Sequence, residues 1–318
     1  MKTFTKLDSH KIVLNSLKYY SLKKQHTAMK KLWMGITVML LVISLKAQQT
    51  VGTPEQIEQF LKTTTYVVLE SNPMLMYNSV IKETVEKHWT LTKFEFVTFS
   101  TEEFEKARMD PNKSFLIMNK EIFEKDKTKA KYNYLCVQLG GDYEFVRQMP
   151  DIASVPIAYD DVDEEFYIHK LGALCRFLQN HILLTQAHPE ITNGKKAISY
   201  YYKNLTGDIK DKVLYLTKED LSKQVDSEAK IKAIYPHKFK IVTREELQTA
   251  IDNHDENVVF VHKVGPEGSK RKARCFKTIV GAADAKLYYF SWHMIDDKNT
   301  EGMLAKDFKK LAKAKKKA

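Results

Sequence analysis

Cysteine is scarce in this sequence: there are three in 318 residues, Cys136, Cys175 and Cys275, and no two of them are close together. A disulfide-stabilised scaffold or a cysteine-ligated zinc site needs close pairs such as C-x-x-C, so both classes are excluded. Each cysteine lies in an apolar stretch. We therefore expect three buried thiols, or one long-range disulfide with a third thiol left free.

Glycine is also scarce, at 11 residues. None lies in the turns expected after the first strand of each half of the chain, 70–73 and 217–220. A phosphate-binding loop needs glycine there, and these turns carry acids instead, which excludes Rossmann and P-loop nucleotide binding. The motifs G-x-S-x-G and H-E-x-x-H are absent too. The sequence predicts no catalytic motif, no metal site and no cofactor, and it favours a protein that is not an enzyme.

Positive charge is concentrated at the two ends of the chain. The formal net charge is +11, of which residues 1–47 contribute +8 and residues 306–318 contribute +6, so that residues 48–305 carry −3. A duplex-binding domain spreads positive charge over one face of its fold. The distribution therefore argues against nucleic acid as a partner.

The N-terminal region has the pattern of an export signal. Met29, Lys30 and Lys31 precede a run of fourteen uncharged residues, 32–45, and Ala47 follows shortly after. A positive start, a short apolar core and a small residue are typical of a secretory signal peptide, here 29–47. Residues 1–28 are then a dispensable or mis-assigned extension. We expect a periplasmic or secreted protein that is not integral to the membrane unless the signal remains uncleaved.

An internal repeat organises the exported part. Residues 94–118 align without gaps with residues 237–261, 143 positions later. Each segment reads as a short strand, a helix and a wholly apolar strand. The helices are expected to begin at capping boxes, in which a hydroxyl and a carboxylate three residues apart satisfy backbone amides. The boxes are Ser100 with Glu103 and Thr243 with Glu246.

Matching apolar segments flank the aligned region on both sides. Strands are expected at 66–69 and 213–216 before it, and two closing strands follow it in each copy. Each copy therefore reads β-α-β-α-β-β-β, with parallel central strands and antiparallel closing strands. The predicted fold class is α/β, with α+β as the alternative, built from two related domains that are each a mixed sheet covered by helices. The first domain is expected over 48–190 and the second over 191–318, ending in a lysine-rich tail.

Helices are predicted after each copy, over 163–187 and from Thr300 to about 314. The acidic run 160–165 begins the first of them. Acids are favoured at a helix start by the amide dipoles, and a cation site is the alternative reading.

Lysine and arginine recur in the connection after the third strand of each copy. The positions are Lys125, Lys127, Lys129 and Lys131 in the first copy and Lys270, Arg271, Lys272 and Arg274 in the second. In a duplicated fold these basic hairpins occupy equivalent places. They predict contact with an anionic partner such as a polysaccharide, an anionic lipid headgroup or an acidic envelope protein. The alternative is solvated hairpins whose lysines discourage edge-to-edge strand pairing.

Two aromatic clusters are candidates for stacking on sugars. They are Tyr200 to Tyr202 and Trp292 with His293. The alternative is that the rings pack inward and keep only their polar tips wet.

The order of elements over about 65–300 resembles the small α/β domains of bacterial envelope proteins, such as the N-terminal domain of TolB. More loosely, the chain is similar to exported envelope proteins of Gram-negative bacteria that carry such domains twice. This resemblance implies an interaction or scaffold role. The expected function is an exported cell-envelope binding or scaffold protein that uses the cleft between the copies and the basic hairpins. The alternative is an extracytoplasmic hydrolase whose site assembles only in three dimensions.

Overall fold

The computed structural model of the chain describes residues 51–123, 128–266 and 272–317. The predicted N-terminal extension and signal peptide lie outside the described residues, as do Lys125, Lys127, Lys270 and Arg271. In the described ranges, no helix combines the length and apolarity needed to cross a membrane. These residues pack into one compact unit.

The first half of the unit contains five strands, which we call repeat 1 (64–159), and two helices that flank it. In chain order its elements are α1 (Pro54–Phe60), β1 (Thr64–Leu69), α2 (Met76–His88), β2 (Lys93–Thr98), α3 (Glu102–Arg108), β3 (Lys113–Ile122), β4 (Lys131–Leu139), β5 (Asp151–Tyr159) and α4 (Leu171–Ala187).

The second half follows the same order. Its elements are α5 (Gly194–Asn204), β6 (Val213–Leu216), α6 (Glu228–Lys232), β7 (Phe239–Ile241), α7 (Arg244–Asp252), β8 (Val258–Val264), β9 (Arg274–Gly281), β10 (Leu287–Met294) and α8 (Ala305–Lys313). We call residues 213–294 repeat 2.

The two sheets have identical strand order and direction. One runs β2-β1-β3-β4-β5 and the other β7-β6-β8-β9-β10. In each sheet the first three strands in this order are mutually parallel, and they are linked by helices. The last two strands each run antiparallel to their neighbours. The prediction of two related α/β units with mixed sheets covered by helices is confirmed.

Strand register confirms the sequence alignment residue by residue. Val67 of β1 pairs with Phe96 and Leu116. Leu214 of β6 pairs with Phe239 and Val259, which are the residues 143 positions after those two partners. A register slip of one residue would turn every side chain of a strand to the opposite face, so this agreement fixes both faces of both sheets.

Helix α4 lies between the two repeats and is shared by them. Leu174 and Leu178 of α4 belong to the same buried core as Val67 and Leu116 of the first sheet. That core, the central core, also contains apolar residues of repeat 2, namely Leu247, Ala250, Ile251, Val258, Phe260 and Val280. Burial of apolar surface stabilises by about 25 cal/mol per Å². Each repeat therefore depends on α4 for part of its stability.

Polar contacts reinforce this junction. The Arg176 guanidinium of α4 donates through Nη1 to the Ala283 carbonyl at 2.6 Å and through Nη2 to the Ala282 carbonyl at 2.7 Å. His262 of β8 places Nε2 2.9 Å from the Pro156 carbonyl of β5. Both contacts link repeat 2 to elements that precede it.

The helix starts agree with the sequence in part. The Thr243 hydroxyl accepts from the Glu246 amide at 3.2 Å, and the Glu246 carboxylate accepts from the Thr243 amide at 2.8 Å, so this capping box is confirmed. The Ser100 box is wrong by one residue, because Ser100 takes φ 60° in the turn and Thr101 becomes the cap. The helix expected from residue 163 begins as an α-helix only at Leu171, after two short 3₁₀ turns.

Cys136, Cys175 and Cys275 are all buried and free. Cys275 contributes its sulfur as an acceptor for the Gly302 amide at 3.2 Å. Of the two alternatives for the cysteines, the structure has the buried thiols.

Candidate ligand cleft

Helix α5 covers an apolar cavity of about 190 Å³ at the junction of the repeats. The helix begins at Asn193, whose side-chain oxygen accepts from the Lys196 amide at 3.0 Å. Ala197 and Tyr201 lie one turn apart and are its two buried residues. Helical spacing thus turns one face of α5 toward the cavity.

The walls of this inner cavity come from both repeats. They are Val51, Tyr134, Ser154, Val155, Pro156, Phe177, His181, Gly194, Ala197, Ile198, Tyr201, Thr278, Val280, Leu287 and Phe290. β4 and β5 supply one wall, α4 the floor, and β9 and β10 the other wall. The cavity therefore exists only because the two repeats pack together.

A second cavity of about 210 Å³ adjoins the first. Ile198, Tyr201 and Phe290 line both, so these three side chains separate the inner cavity from the outer one. The remaining lining of the outer cavity consists of Lys195, Ser199, Tyr202, Thr206, Tyr289 and Lys310. Together the two cavities form what we call the cleft, and their size is within the range of small-molecule sites.

The inner cavity contains a hydrogen-bonded pair of aromatic polar residues. His181 Nδ1 lies 2.9 Å from the Tyr201 hydroxyl, and the His181 ring stacks on Phe177 with centroids 5.7 Å apart. Burial lowers the pKa of His181 to about 4 and raises the pKa of Tyr201 above its ordinary value. Both groups are uncharged at neutral pH, so the inner cavity offers hydrogen bonding without charge.

The outer cavity contains two cations and no carboxylate in its lining. The Lys310 ammonium lies 4.7 Å from the Tyr202 ring centroid and 5.3 Å from that of Tyr289. Aromatic faces attract a cation without neutralising it. The positive charge of Lys310 therefore remains available to an anion in the outer cavity.

The described parts of the two basic hairpins lie against each other. Thr128 donates through its hydroxyl to the Lys272 carbonyl at 3.0 Å, and the Tyr132 hydroxyl accepts from the Arg274 amide at 2.6 Å. Lys129 and Lys272, which are 143 positions apart, both adopt a positive φ, at 50° and 65°. These two aligned positions thus share a backbone conformation.

The four predicted basic positions that the structure describes differ in their surroundings. Lys129, Lys131 and Lys272 are exposed. The Arg274 guanidinium lies between aromatic rings, 4.1 Å from the Phe123 centroid and 4.5 Å from the Trp292 centroid. Arg274 therefore has a packing role that the exposed lysines do not share.

A buried ion network joins α8 to the second sheet, and no sequence pattern predicted it. The Lys277 ammonium, which is completely buried, donates to Asp307 Oδ2 at 2.7 Å and to His293 Nδ1 at 3.0 Å. Asp307 also accepts from Tyr289 and Ser291 at Oδ1 and from the Leu304 amide at Oδ2. Burial acts to raise the pKa of Asp307, but Lys277 and these hydrogen bonds outweigh it and hold the pKa below its ordinary value.

This network has the residue types of a catalytic site, but its bonds are already made. His293 accepts from Lys277 at one ring nitrogen and lies 3.0 Å from the Thr300 carbonyl at the other. Its pKa is lowered to about 4, mainly by burial. Four side-chain and backbone donors occupy the Asp307 oxygens, so the network is a structural brace rather than a reactive site.

A second polar cluster lies where β6 ends, the edge at which α/β enzymes bind substrates. Asp220 accepts from the Thr217 amide and hydroxyl at 2.9 and 2.8 Å, and Lys170 lies 3.7 Å away. Glu219 pairs with Arg244 at 2.6 Å. The adjoining cavity measures about 20 Å³, which is room for about one water. The cluster therefore joins the repeats and leaves no space there for a substrate.

The acidic run 160–165 is distributed over several elements. Asp160 pairs with Lys120 at 2.8 Å, and Glu165 lies 3.3 Å from Arg244. Glu164 accepts from the Met76 and Tyr77 amides at 2.8 and 3.0 Å, so it caps α2 rather than α4. Among the described residues no group of three or more side chains is placed to hold a metal ion.

The aromatic candidates for sugar stacking also differ in their surroundings. Tyr201 faces the inner cavity, and the Tyr200 hydroxyl lies 3.1 Å from His188 Nε2. Tyr202 and Trp292 are exposed, at 41% and 47%. Only Tyr201 and Tyr202 contribute to the cleft.

Of the charged and polar residues of the cleft, sequence reasoning found only Tyr201 and Tyr202. Lys195, His181 and Lys310 belong to three different helices, and no sequence spacing relates them. The one usable signal was the tyrosine run on a helix next to the junction between the repeats.

Comparison of the chain with models of known protein families, with curated proteins and with solved structures found no match.

Proposed function

We propose that the protein is an exported envelope binding protein that holds a small, largely apolar molecule in the cleft. The observation that carries this proposal is the inner cavity of about 190 Å³, which is lined by side chains of both repeats and adjoins a second cavity lined by two lysines. A chain that needed only a stable core would fill this space, because each unfilled methylene costs about 1 kcal/mol. The signal-like segment 29–47 supports export, and the TolB-like element order supports an interaction role.

The test is binding of N-phenyl-1-naphthylamine to residues 49–318. This uncharged probe fluoresces in apolar surroundings, and its two ring systems are to occupy the inner and the outer cavity together. At about 0.3 kcal/mol for each of its heavy atoms, the dissociation constant is expected to be about 0.2 mM or lower. The variant Ile198→Trp fills the wall between the two cavities and is expected to weaken binding at least tenfold.

Leu183→Trp is the matched control, because Leu183 is exposed on α4 and lines neither cavity. It is expected to bind the probe like the unmodified protein. Equal binding by both variants, or no binding by the unmodified protein, would contradict the proposal.

A second candidate function is contact with an anionic partner through the basic hairpins. The Thr128–Lys272 hydrogen bond favours it, because it places the two hairpins side by side. The partner would be a polysaccharide, an anionic lipid headgroup or an acidic envelope protein.

Heparin, a polyanionic polysaccharide, is the probe for this second candidate. Neutralising Lys125, Lys127, Lys270 and Arg271 to glutamine is expected to lower the salt concentration at which the protein elutes from immobilised heparin, because fewer charges are neutralised on binding. Arg274 is left intact because of its packing role. The control neutralises four other lysines, Lys87, Lys93, Lys106 and Lys223. The same shift in the control would contradict a role for the hairpins.

A further inference from the structure

The cleft divides into an uncharged part and a positive part. Every residue that lines the inner cavity is apolar or uncharged at neutral pH, including His181 with its lowered pKa. The outer cavity holds Lys195 and Lys310. A ligand that matches both parts has an apolar body and one polar end.

The two lysines of the outer cavity favour a negative polar end. Within the described part of the chain, Lys195 and Lys310 form no ion pair, and no carboxylate lines either cavity. Asp307 touches the hydroxyl of Tyr289 but is itself neutralised by Lys277. A ligand carboxylate in the outer cavity would therefore meet two cations and no opposing charge.

The orientation follows from the cost of desolvation. An ionised carboxylate in the inner cavity would lose its water without gaining a cation, which is far more costly than leaving it in the outer cavity. The apolar body gains by the opposite placement, because it leaves water. The acidic end thus lies outside and the apolar end inside.

The size of the inner cavity limits the apolar body. An engineered cavity of roughly 150 Å³ holds one benzene molecule. The inner cavity, at about 190 Å³, is slightly larger and takes a group of roughly six to eight carbons by the same measure.

Resting on the binding function proposed above, we infer that the ligand is a small amphiphilic carboxylate. Its hydrocarbon part fills the inner cavity, and its carboxylate lies in the outer cavity with Lys195 and Lys310. Tyr202 and Tyr289 hold the Lys310 ammonium in place through their ring faces.

The experiment compares octanoate with 1-octanol, which has the same chain and no charge. Binding of each to residues 49–318 is measured by calorimetry, in the unmodified protein and in the variant Lys195→Gln/Lys310→Gln. The variant is expected to bind octanoate roughly tenfold more weakly, the loss typical of removing charge-assisted contacts at a partly exposed site. Its affinity for 1-octanol is expected to stay the same, and added salt is expected to weaken octanoate binding only.

Lys196→Gln/Lys203→Gln is the matched control. It removes two positive charges from α5, the helix that carries Lys195, at exposed positions that line neither cavity. Octanoate affinity in this control is expected to remain within twofold of the unmodified protein.

Three outcomes overturn the inference. If the lysine variant and the control lose octanoate affinity equally, the loss reflects the net charge of the protein and not contacts of the ligand with Lys195 and Lys310. If 1-octanol binds and octanoate does not, the cleft binds apolar molecules but the ligand class is wrong, and the proposed function stands. If neither compound nor the naphthylamine probe binds, both the ligand class and the proposed function are wrong.

Discussion

The two repeats share strand order and register but differ in how their sheets are covered. In repeat 1 the face that carries Val67 and Leu116 belongs to the central core, together with Leu174 and Leu178 of α4. In repeat 2 the matching face, with Leu214 and Val259, packs on Phe308 of α8. There the buried Lys277–Asp307 pair joins helix and sheet. The two sheets thus have the same strand order, whereas the helices that pack on them differ between the repeats.

The opposite faces differ as well. In repeat 1 that face is covered by Phe104 of α3 and by Met149 from the connection before β5. In repeat 2 the matching face, with Leu247 of α7, packs on α4 in the central core. Repeat 2 therefore packs on α4, the helix that follows repeat 1, and the cleft lies at this junction.

The largest expected effect comes from the ion network that joins the sheet of repeat 2 to α8. Lys263 pairs with Lys277 as Lys120 pairs with Asn133, so repeat 1 has an amide at the place of the buried ammonium. Asp307→Ala leaves that ammonium without its partner and is expected to lower the free energy of unfolding by about 3–5 kcal/mol. Urea denaturation at pH 7 measures the loss.

The double variant Lys277→Leu/Asp307→Leu is the control. It leaves no unpaired charge and is expected to be more stable than Asp307→Ala. Because the pKa of Asp307 is lowered in the folded state, its stabilisation is present at neutral pH and is lost as the pH falls through that lowered pKa. A loss below about 1 kcal/mol in Asp307→Ala would contradict the role given to the network.

A smaller effect is expected at His262, where repeat 1 has Asn119 in the matching register. Burial, with a further contribution from Lys170, lowers the pKa of His262 from 6.5 to about 3. Between these values the unfolded chain binds the proton and the folded chain does not, so stability falls as the pH falls.

His262→Asn is expected to reduce this pH dependence by up to about 1.4 kcal/mol per pH unit between pH 6 and pH 4. The measurement is urea denaturation at a series of pH values. An unchanged slope would show that His262 is not the buried neutral group described here.

The smallest effect is expected at the polar link between α4 and repeat 2. Arg176→Met removes both hydrogen bonds to the Ala282 and Ala283 carbonyls while keeping much of the apolar stem. Since Arg176 is only partly buried, the expected loss is about 1–2 kcal/mol. Arg147→Met, at an exposed position, is the control and is expected to change stability by no more than about 0.5 kcal/mol. Equal losses in the two variants would contradict a specific link.

Local patterns carried the prediction of the fold because they act within a few residues. The apolar runs and the Thr243 capping box predicted elements that the structure has. The alignment at 143 residues correctly matched β2 with β7 and β3 with β8, residue for residue. The error at Ser100 was equally local. A positive φ at Ser100 shifts the cap to Thr101, and no pattern in a single sequence fixes φ at a serine.

The site depends on distant parts of the chain, and that is why the sequence did not reveal it. Lys195 and Lys310 are brought to one cavity only by the packing of α5 and α8 around β10. Lys277 and Asp307 lie 30 residues apart and meet in the interior. The basic hairpins were visible beforehand because they repeat, whereas the two lysines of the cleft lie on α5 and α8, outside the aligned segments 94–118 and 237–261.

The most direct test of the account is whether the two repeats unfold together, because the cleft requires their shared core. Residues 49–318 contain two tryptophans, Trp89 next to repeat 1's α2 and Trp292 in β10 of repeat 2. With 5-fluorotryptophan at both positions, each repeat has its own fluorine resonance. We expect both native resonances to disappear at the same urea concentration with the same slope. Separate midpoints would mean that each repeat has an independent core, and that would contradict the shared role given to α4.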